Sequence, residues 1–147
     1  LSSSSGNGFS ECVRRVASRW RLRYVVLFGS RGRGYWGPHS DFDLAVKAGR
    51  RLGFVERGLL YAELEECLPE GARLDLVFLD DWNPVVAWEA LARGKLLYSC
   101  GDECLREYYE DLARAIDEVA DLEPLIRLFE RENRRALAGT SGEDIEG

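Results

Sequence analysis

Two apolar stretches with a short gap between them constrain this chain more than any other feature. Arg23–Phe28 (RYVVLF) reads as a buried strand rich in β-branched and aromatic residues, and Asp41–Lys47 (DFDLAVK) reads as a second strand with clean alternation. The intervening segment 29–40 is punctuated by Gly29, Gly32, Gly34, Gly37 and Pro38. Parallel neighbours need a crossover of a dozen or more residues, usually a packed helix with two loops, and this segment is too short and too broken for one. The two strands are therefore expected to be antiparallel or loosely connected, in a mixed sheet.

The rest of the chain alternates helices with strands. Phe9–Trp20 predicts a helix capped by Ser10, with Phe9, Val13, Val16, Ala17 and Trp20 on one face. Phe54–Leu68 predicts an amphipathic helix ended by Pro69 and Gly71, and Arg73–Leu79 predicts a third strand. Asn83-Pro84 opens a short helix that Gly94 ends, and Lys95–Ser99 is a short fourth strand. Asp102–Leu122 predicts a long helix with Leu105, Tyr108, Leu112, Ile116 and Val119 inward, followed by a helix over Glu123–Leu137 with Pro124 in its first turn. The expected fold is α/β, a mixed sheet with flanking helices and a C-terminal helical pair. Its expected divisions are a flexible 1–8, a domain over 9–100, C-terminal helices over 101–137 and a flexible tail over 138–147.

The 147 residues suffice to bury a full core, and no apolar run approaches the ~20 residues of a membrane span. Leu1–Ser10 is polar and lacks the apolar region of a signal peptide. The chain begins without Met, so the sequence as written is expected to be trimmed or to start unusually. Cys12, Cys67, Cys100 and Cys104 are dispersed and His39 is the lone histidine, which argues against a zinc site. The favoured expectation is structural thiols in a reducing cytosol, with a local Cys100–Cys104 disulfide as the alternative, and the expected location is cytoplasmic. The net charge of −6 divides into +7 over residues 1–60 and −13 over residues 61–147. A basic front half admits phosphates as ligands, and an acidic rear half suits a basic partner.

Three carboxylates carry the chemistry. Asp41 and Asp43 flank Phe42 on one strand, so a period of two places both on one face, roughly 6.5–7 Å apart at Cα. Asp75 lies within the apolar third strand, where a buried acid is costly unless paired or bound to metal. Three acids on one face repel one another, and Mg²⁺, which prefers oxygen ligands, relieves that repulsion. Two ions about 3.5–4 Å apart would flank an in-line displacement at phosphorus. The first strand runs straight into Gly29-Ser30. Gly29 lets a phosphate approach closely, Ser30 supplies a hydroxyl and an N–H, and Arg31 and Arg33 add positive charge. Gly32–Gly37 matches G-x-G-x-x-G literally, but Gly37-Pro38 stops any helix there, so a dinucleotide fold is rejected. No Gly-Lys is followed by Ser or Thr, so a Walker A loop is absent.

Gly29-Ser30, then Arg31-Gly32-Arg33-Gly34, then Ser40-Asp41-Phe42-Asp43-Leu44, with a third acid at Asp75 on a later strand, resembles the signature of minimal nucleotidyltransferases. These are small members of the DNA polymerase beta-type nucleotidyltransferase superfamily. The resemblance covers about residues 9–100, and the helices after Asp102 resemble the C-terminal part of antitoxin-type members more weakly. It implies a nucleotidyltransferase core in which Asp41 and Asp43 hold two Mg²⁺ ions. Asp75 would join one ion and deprotonate the acceptor hydroxyl. Gly29 and Ser30 would grip the β- and γ-phosphates of ATP, with Arg33 and Ser40 as helpers. In this family, small stand-alone members pair with a HEPN-domain toxin and silence it by transferring AMP to a tyrosine. The resemblance thus implies an antitoxin of that kind, with ATP and a HEPN toxin as partners and no direct binding of nucleic acid or membrane. Two alternatives stay open: a non-catalytic nucleotide- or protein-binding module, and a transferase acting on a small molecule such as an aminoglycoside. Whether the chain forms a homo-oligomer is also open. Gly32 stands where family members often carry a non-glycine residue such as Ala, which weakens a helical turn after the phosphate loop.

The remaining features have plain readings. Glu103, Glu107, Glu110, Asp111, Asp117, Glu118 and Asp121 could face a basic partner or simply form a solvated helix face. Tyr35 and Trp36 could stack on a base or pack on a neighbour. Trp82 and Trp88 read as core or interface, and His39 as a turn residue.

Overall fold

The computed structural model describes residues 5–29 and 41–122, together with 124, 127, 128 and 130–132; positions 5–7 and 41 are described by backbone alone. Ser30, Arg31, Arg33, Tyr35, Trp36, His39, Ser40 and the tail over 138–147 lie outside these residues. The elements in chain order are α1 (Ser5–Arg19), β1 (Tyr24–Phe28), β2 (Asp41–Lys47), α2 (Phe54–Glu65), β3 (Arg73–Phe78), α3 (Pro84–Arg93), β4 (Lys95–Ser99) and α4 (Asp102–Ala120). Positions 124, 127, 128 and 130–132 are helical, within the segment expected to form the last helix. None of the described helices is long and apolar enough to cross a membrane.

The four strands form one sheet in the order β3-β2-β1-β4. β1 runs antiparallel to both β2 and β4, and β2 runs parallel to β3. The sheet is mixed, as the short gap between the first two strands requires. Alternate residues sort onto two faces. Val25, Leu27, Phe42, Leu44, Val46 and Leu74 pack with Val13, Val16, Leu60 and Leu64 of α1 and α2. Tyr24, Val26, Phe28 and Ala45 pack with Ala87, Ala90 and Leu91 of α3 and with Tyr108 and Ala115 of α4. Trp82 and Trp88 are half-buried against this second cluster.

Several element ends differ from the sequence expectation for local reasons. α1 begins at Ser5 rather than Phe9. α2 stops at Glu65, three residues early, because the Cys67 and Leu68 amides donate to Leu64 and Glu65, tightening the last turn to i→i−3 bonds. Along α4 the buried positions are Cys104, Tyr108, Ala115 and Val119, while Ile116 is exposed. The inward stripe is rotated from the expected one because the small Ala115 occupies the position packed beside α3. Asn83 caps α3 as expected, its side-chain oxygen accepting from the Val85 and Val86 amides.

The expectation of free thiols is corrected. Cys12 bonds to Cys67 and Cys100 bonds to Cys104, leaving no free cysteine. α1 and the end of α2 lie side by side on one sheet face, which brings the Cys12 and Cys67 Cα atoms to 5.5 Å. Cys100 precedes α4 and Cys104 lies in its first turn, 5.4 Å apart at Cα.

Candidate active site

The end of β1 and the starts of β2 and β3 meet at one end of the sheet. Phe28 pairs with Asp43, Asp43 with Asp75, and Asp41 with Arg73. Ala45 of β2 is buried on the α3/α4 side, and Val77 of β3 packs on that same side. The two-residue period therefore assigns positions 41, 43 and 75 to that face. Asp43 and Asp75 are direct register partners on adjacent strands, whose spacing is about 4.8 Å. The sequence expectation that these acids share a face thus agrees with the backbone for all three positions. Side-chain placement is described for Asp43 and Asp75 only.

Gly29 shapes the site from the other side. Its φ is +78°, a left-handed conformation that favours glycine. A Cβ built there would collide with Oδ2 of Asp43 and lie 3.0 Å from its Cγ. The Asp43 carboxylate is thus lodged against the bare Cα of Gly29, where the chain leaves β1. Asp43 is half-buried and Asp75 is exposed on β3, an edge strand. Asp75 is therefore not the buried acid in need of a partner that its apolar strand suggests: an edge position leaves its carboxylate hydrated. What remains is proximity, two carboxylates at one level on neighbouring strands, whose mutual repulsion a bound cation would relieve. Among the described residues no group of three metal-ligating side chains assembles. The oxygen-only donors Asp43 and Asp75 nonetheless suit a hard cation such as Mg²⁺.

Sequence reasoning missed a polar network at the far end of the same face. Lys47 donates to Asp111 at 2.6 Å and lies 3.5 Å from Glu107. The Tyr24 hydroxyl donates to the same Asp111 oxygen at 2.7 Å, and Arg23 Nε donates to Glu107 at 2.7 Å. Burial, and then the Asp111 carboxylate, push the Tyr24 phenol well above its ordinary range. The network fastens α4 to β1 and β2. Its signal was present in the alternation of DFDLAVK, which carries Lys47 on the inner face with Ala45.

The same contacts revise the acidic ridge. Glu103, Glu107 and Asp111 face Arg23 and Lys47, and Glu118 accepts from Trp82 Nε1 and Arg114. Of the seven acids read as facing a basic partner or forming a solvated face, Glu110, Asp117 and Asp121 are exposed and make none of these contacts. Two open clefts lie on the α1 side of the sheet. One of about 490 Å³ is lined by Arg19, Trp20, Arg21, Arg50 and Glu63. The other, of about 530 Å³, is lined by Glu11, Arg14, Arg15, Ser18 and Tyr98. Neither is lined by Asp43 or Asp75.

Similar folds have been solved. A toxin–antitoxin structure with AMP-PNP superposes with a TM-score of 0.67 at 21% identity, covering 85% of this chain and 98% of that one. A tri-AMPylated Shewanella oneidensis HEPN toxin in complex with MNT antitoxin gives 0.62 at 20% identity, covering 86% and 96%. A mutant MntA–HepT toxin–antitoxin carrying two Asp-to-Glu substitutions gives 0.65 at 19%, covering 85% and 98%. At these identities the likeness shows a shared fold. No curated protein matches the chain by sequence. The family described as "Polymerase beta, Nucleotidyltransferase" matches residues 11–103, from α1 through the sheet into the first turn of α4. On that match, over more than half its length, the chain belongs to the polymerase beta nucleotidyltransferase family.

Proposed function

We propose that this protein transfers AMP from ATP to a tyrosine hydroxyl of a HEPN-domain toxin and thereby acts as its antitoxin. The observation that carries the reading is the in-register Asp43–Asp75 pair with Asp43 lodged against Gly29, at the sheet end where β1 gives way to Gly29. The likeness in fold to MNT antitoxins solved with HEPN toxins supports the choice of acceptor.

In the proposed reaction, the acceptor oxygen attacks the α-phosphorus, the bond to the bridging oxygen breaks, and pyrophosphate leaves. The proton of the acceptor hydroxyl passes to Asp75. Asp41, Asp43 and Asp75 are the residues that would hold two Mg²⁺ ions. When bound, the ions neutralise phosphate charge and stabilise the attacking and leaving oxygens. Gly29 allows the phosphates to approach the backbone, and Ser30 with Arg33 and Ser40 would hold them. Most of the acceleration is then positioning and charge stabilisation.

The test is incubation of the protein, Mg²⁺ and α-labelled ATP with its HEPN partner. Label on the partner, lost in Asp41→Ala and Asp43→Ala, is the expected outcome. Toxin inhibition that survives both substitutions without label would instead identify a binding module.

A further inference from the structure

We propose that the arginine-rich side of α1 is a binding site for single-stranded nucleic acid, separate from the transfer site. This departs from the expectation that the chain binds no nucleic acid directly. Arg14, Arg15, Ser18 and Arg19 stand at i, i+1, i+4 and i+5 on the outer side of α1, and all four are exposed. The cleft of about 530 Å³ opens against Arg14, Arg15 and Ser18, and the cleft of about 490 Å³ against Arg19, Arg21 and Arg50. Ser18 and Arg19 are consecutive, so the two clefts adjoin along one basic track. Each is lined by one half-buried aromatic side chain, Tyr98 in the first and Trp20 in the second.

Arg21 supplies an independent observation. Its φ is +56°, and among the described residues it is the one non-glycine residue with a left-handed backbone. Its amide donates to the Ser18 carbonyl and the Leu22 amide donates to the Ala17 carbonyl, the pair of bonds that ends a helix through a left-handed residue. Glycine is favoured at such a position, and an arginine there is strained. The guanidinium gains nothing within the fold: Arg21 is exposed and, like Arg14 and Arg15, its side chain makes no hydrogen bond or ion pair among the described residues. Arg19 and Arg50 differ, since Arg19 pairs with Glu63 and Arg50 donates to the Trp20 carbonyl at 2.8 Å, bracing the helix end. Strain held at an exposed cation that no internal contact offsets points to an external anion.

The lining selects which anion. Guanidinium groups fork onto phosphate oxygens, and three uncommitted ones along the track match a row of phosphates better than a single one. Aromatic rings in adjoining clefts offer stacking to successive bases, which an unpaired strand exposes and a duplex does not. An acidic peptide would satisfy the arginines and leave Tyr98 and Trp20 unused. Of the two acids in the linings, Glu63 is committed, accepting from Trp20 Nε1 at 3.0 Å and pairing with Arg19. Glu11 bounds the track toward the start of α1. α1 covers the sheet face opposite Asp43 and Asp75, so a strand bound here leaves the transfer site open, and the proposal does not depend on the function proposed above.

Fluorescence anisotropy of a labelled oligouridine of about 12 residues, titrated with the full chain, tests it. Binding is expected with a Kd of about 1–100 µM at low salt, and log K should fall against log salt with a slope of about −2, as three phosphate contacts on a single strand require. Arg21→Gly should weaken binding by about 5-fold or more and flatten that slope, while its thermal midpoint holds or rises because glycine suits the left-handed turn. Arg14→Glu/Arg15→Glu should weaken binding further still. Tyr98→Leu keeps an apolar side chain in place and should weaken binding by about 10-fold through lost stacking. Saturating ATP with Mg²⁺ should not displace the strand. A wild-type chain that does not bind, an Arg21→Gly variant that binds normally, or displacement by ATP overturns the proposal. Equal binding of duplex RNA or of an oligoglutamate of the same length overturns it as well.

Discussion

At the scale of single residues, Gly29 and Asp43 act as one unit. The carboxylate occupies the volume that any Cβ at position 29 would claim, and the backbone there has φ of +78°. Gly29→Ala is therefore expected to destabilise the fold by about 2 kcal/mol and to displace Asp43, abolishing transfer. Thermal denaturation and a labelled-ATP assay check both parts. Asp43→Asn should separate the two effects. It removes a charge that repels Asp75 as well as a cation ligand, so transfer should fall by about 100-fold or more while the thermal midpoint holds or rises. A midpoint lowered by several degrees would show that Asp43 serves the fold instead. Ser30→Ala should weaken ATP binding by calorimetry and leave stability unchanged. The D-x-D spacing was legible in the sequence because strand alternation is local. The exposure of Asp75 was not, because an apolar run looks the same on a central and an edge strand.

At the scale of elements, the attachment of α4 to the sheet is the least expected feature. Tyr24, Lys47 and Arg23 reach Asp111 and Glu107 one turn apart on the helix. Tyr24→Phe removes the hydroxyl that Asp111 accepts from and should cost about 1–2 kcal/mol in urea denaturation. The phenol is held neutral in the folded state by burial and the adjacent carboxylate, while in the unfolded chain it ionises near its ordinary value of 10.0. The stability this contributes is complete below pH 10 and is lost as pH rises further. The wild-type midpoint should fall more steeply than that of Tyr24→Phe as pH rises above about 10. Helical periodicity located α4 to within two residues at its end. It could not tell which acids on the helix meet cations, because those cations come from strands some 60 to 85 positions away in sequence.

At the scale of the whole molecule, the Cys12–Cys67 bond ties α1 to α2 across a separation of 55 residues that contains β1 and β2. Loop-closure entropy makes that link worth about 4 kcal/mol, against about 2 for the four-residue separation of Cys100 and Cys104. The Cys12→Ser/Cys67→Ser variant should therefore melt well below the Cys100→Ser/Cys104→Ser variant under oxidising conditions. Reductant should bring the wild type down to a similar midpoint. Packing also joins the two differently charged halves of the chain: Glu63, Asp81, Glu103, Glu107 and Asp111 pair with Arg19, Arg57, Arg23 and Lys47, while Glu110, Asp117 and Asp121 stay exposed.

What the sequence determined by itself was everything set by near neighbours along the chain. Strand alternation, helix stripes, the Asn83 cap and the short gap after Phe28 dictated a mixed sheet with its helices in order. Tertiary structure alone decided which distant groups came together: Asp43 with Asp75 through a parallel register, Cys12 with Cys67 through adjacent helices, Lys47 with Asp111 across a layer. The reason is the range of the forces. Backbone sterics and hydrogen bonding act over a few residues and leave their mark on composition, whereas register and packing depend on contacts that no local pattern encodes.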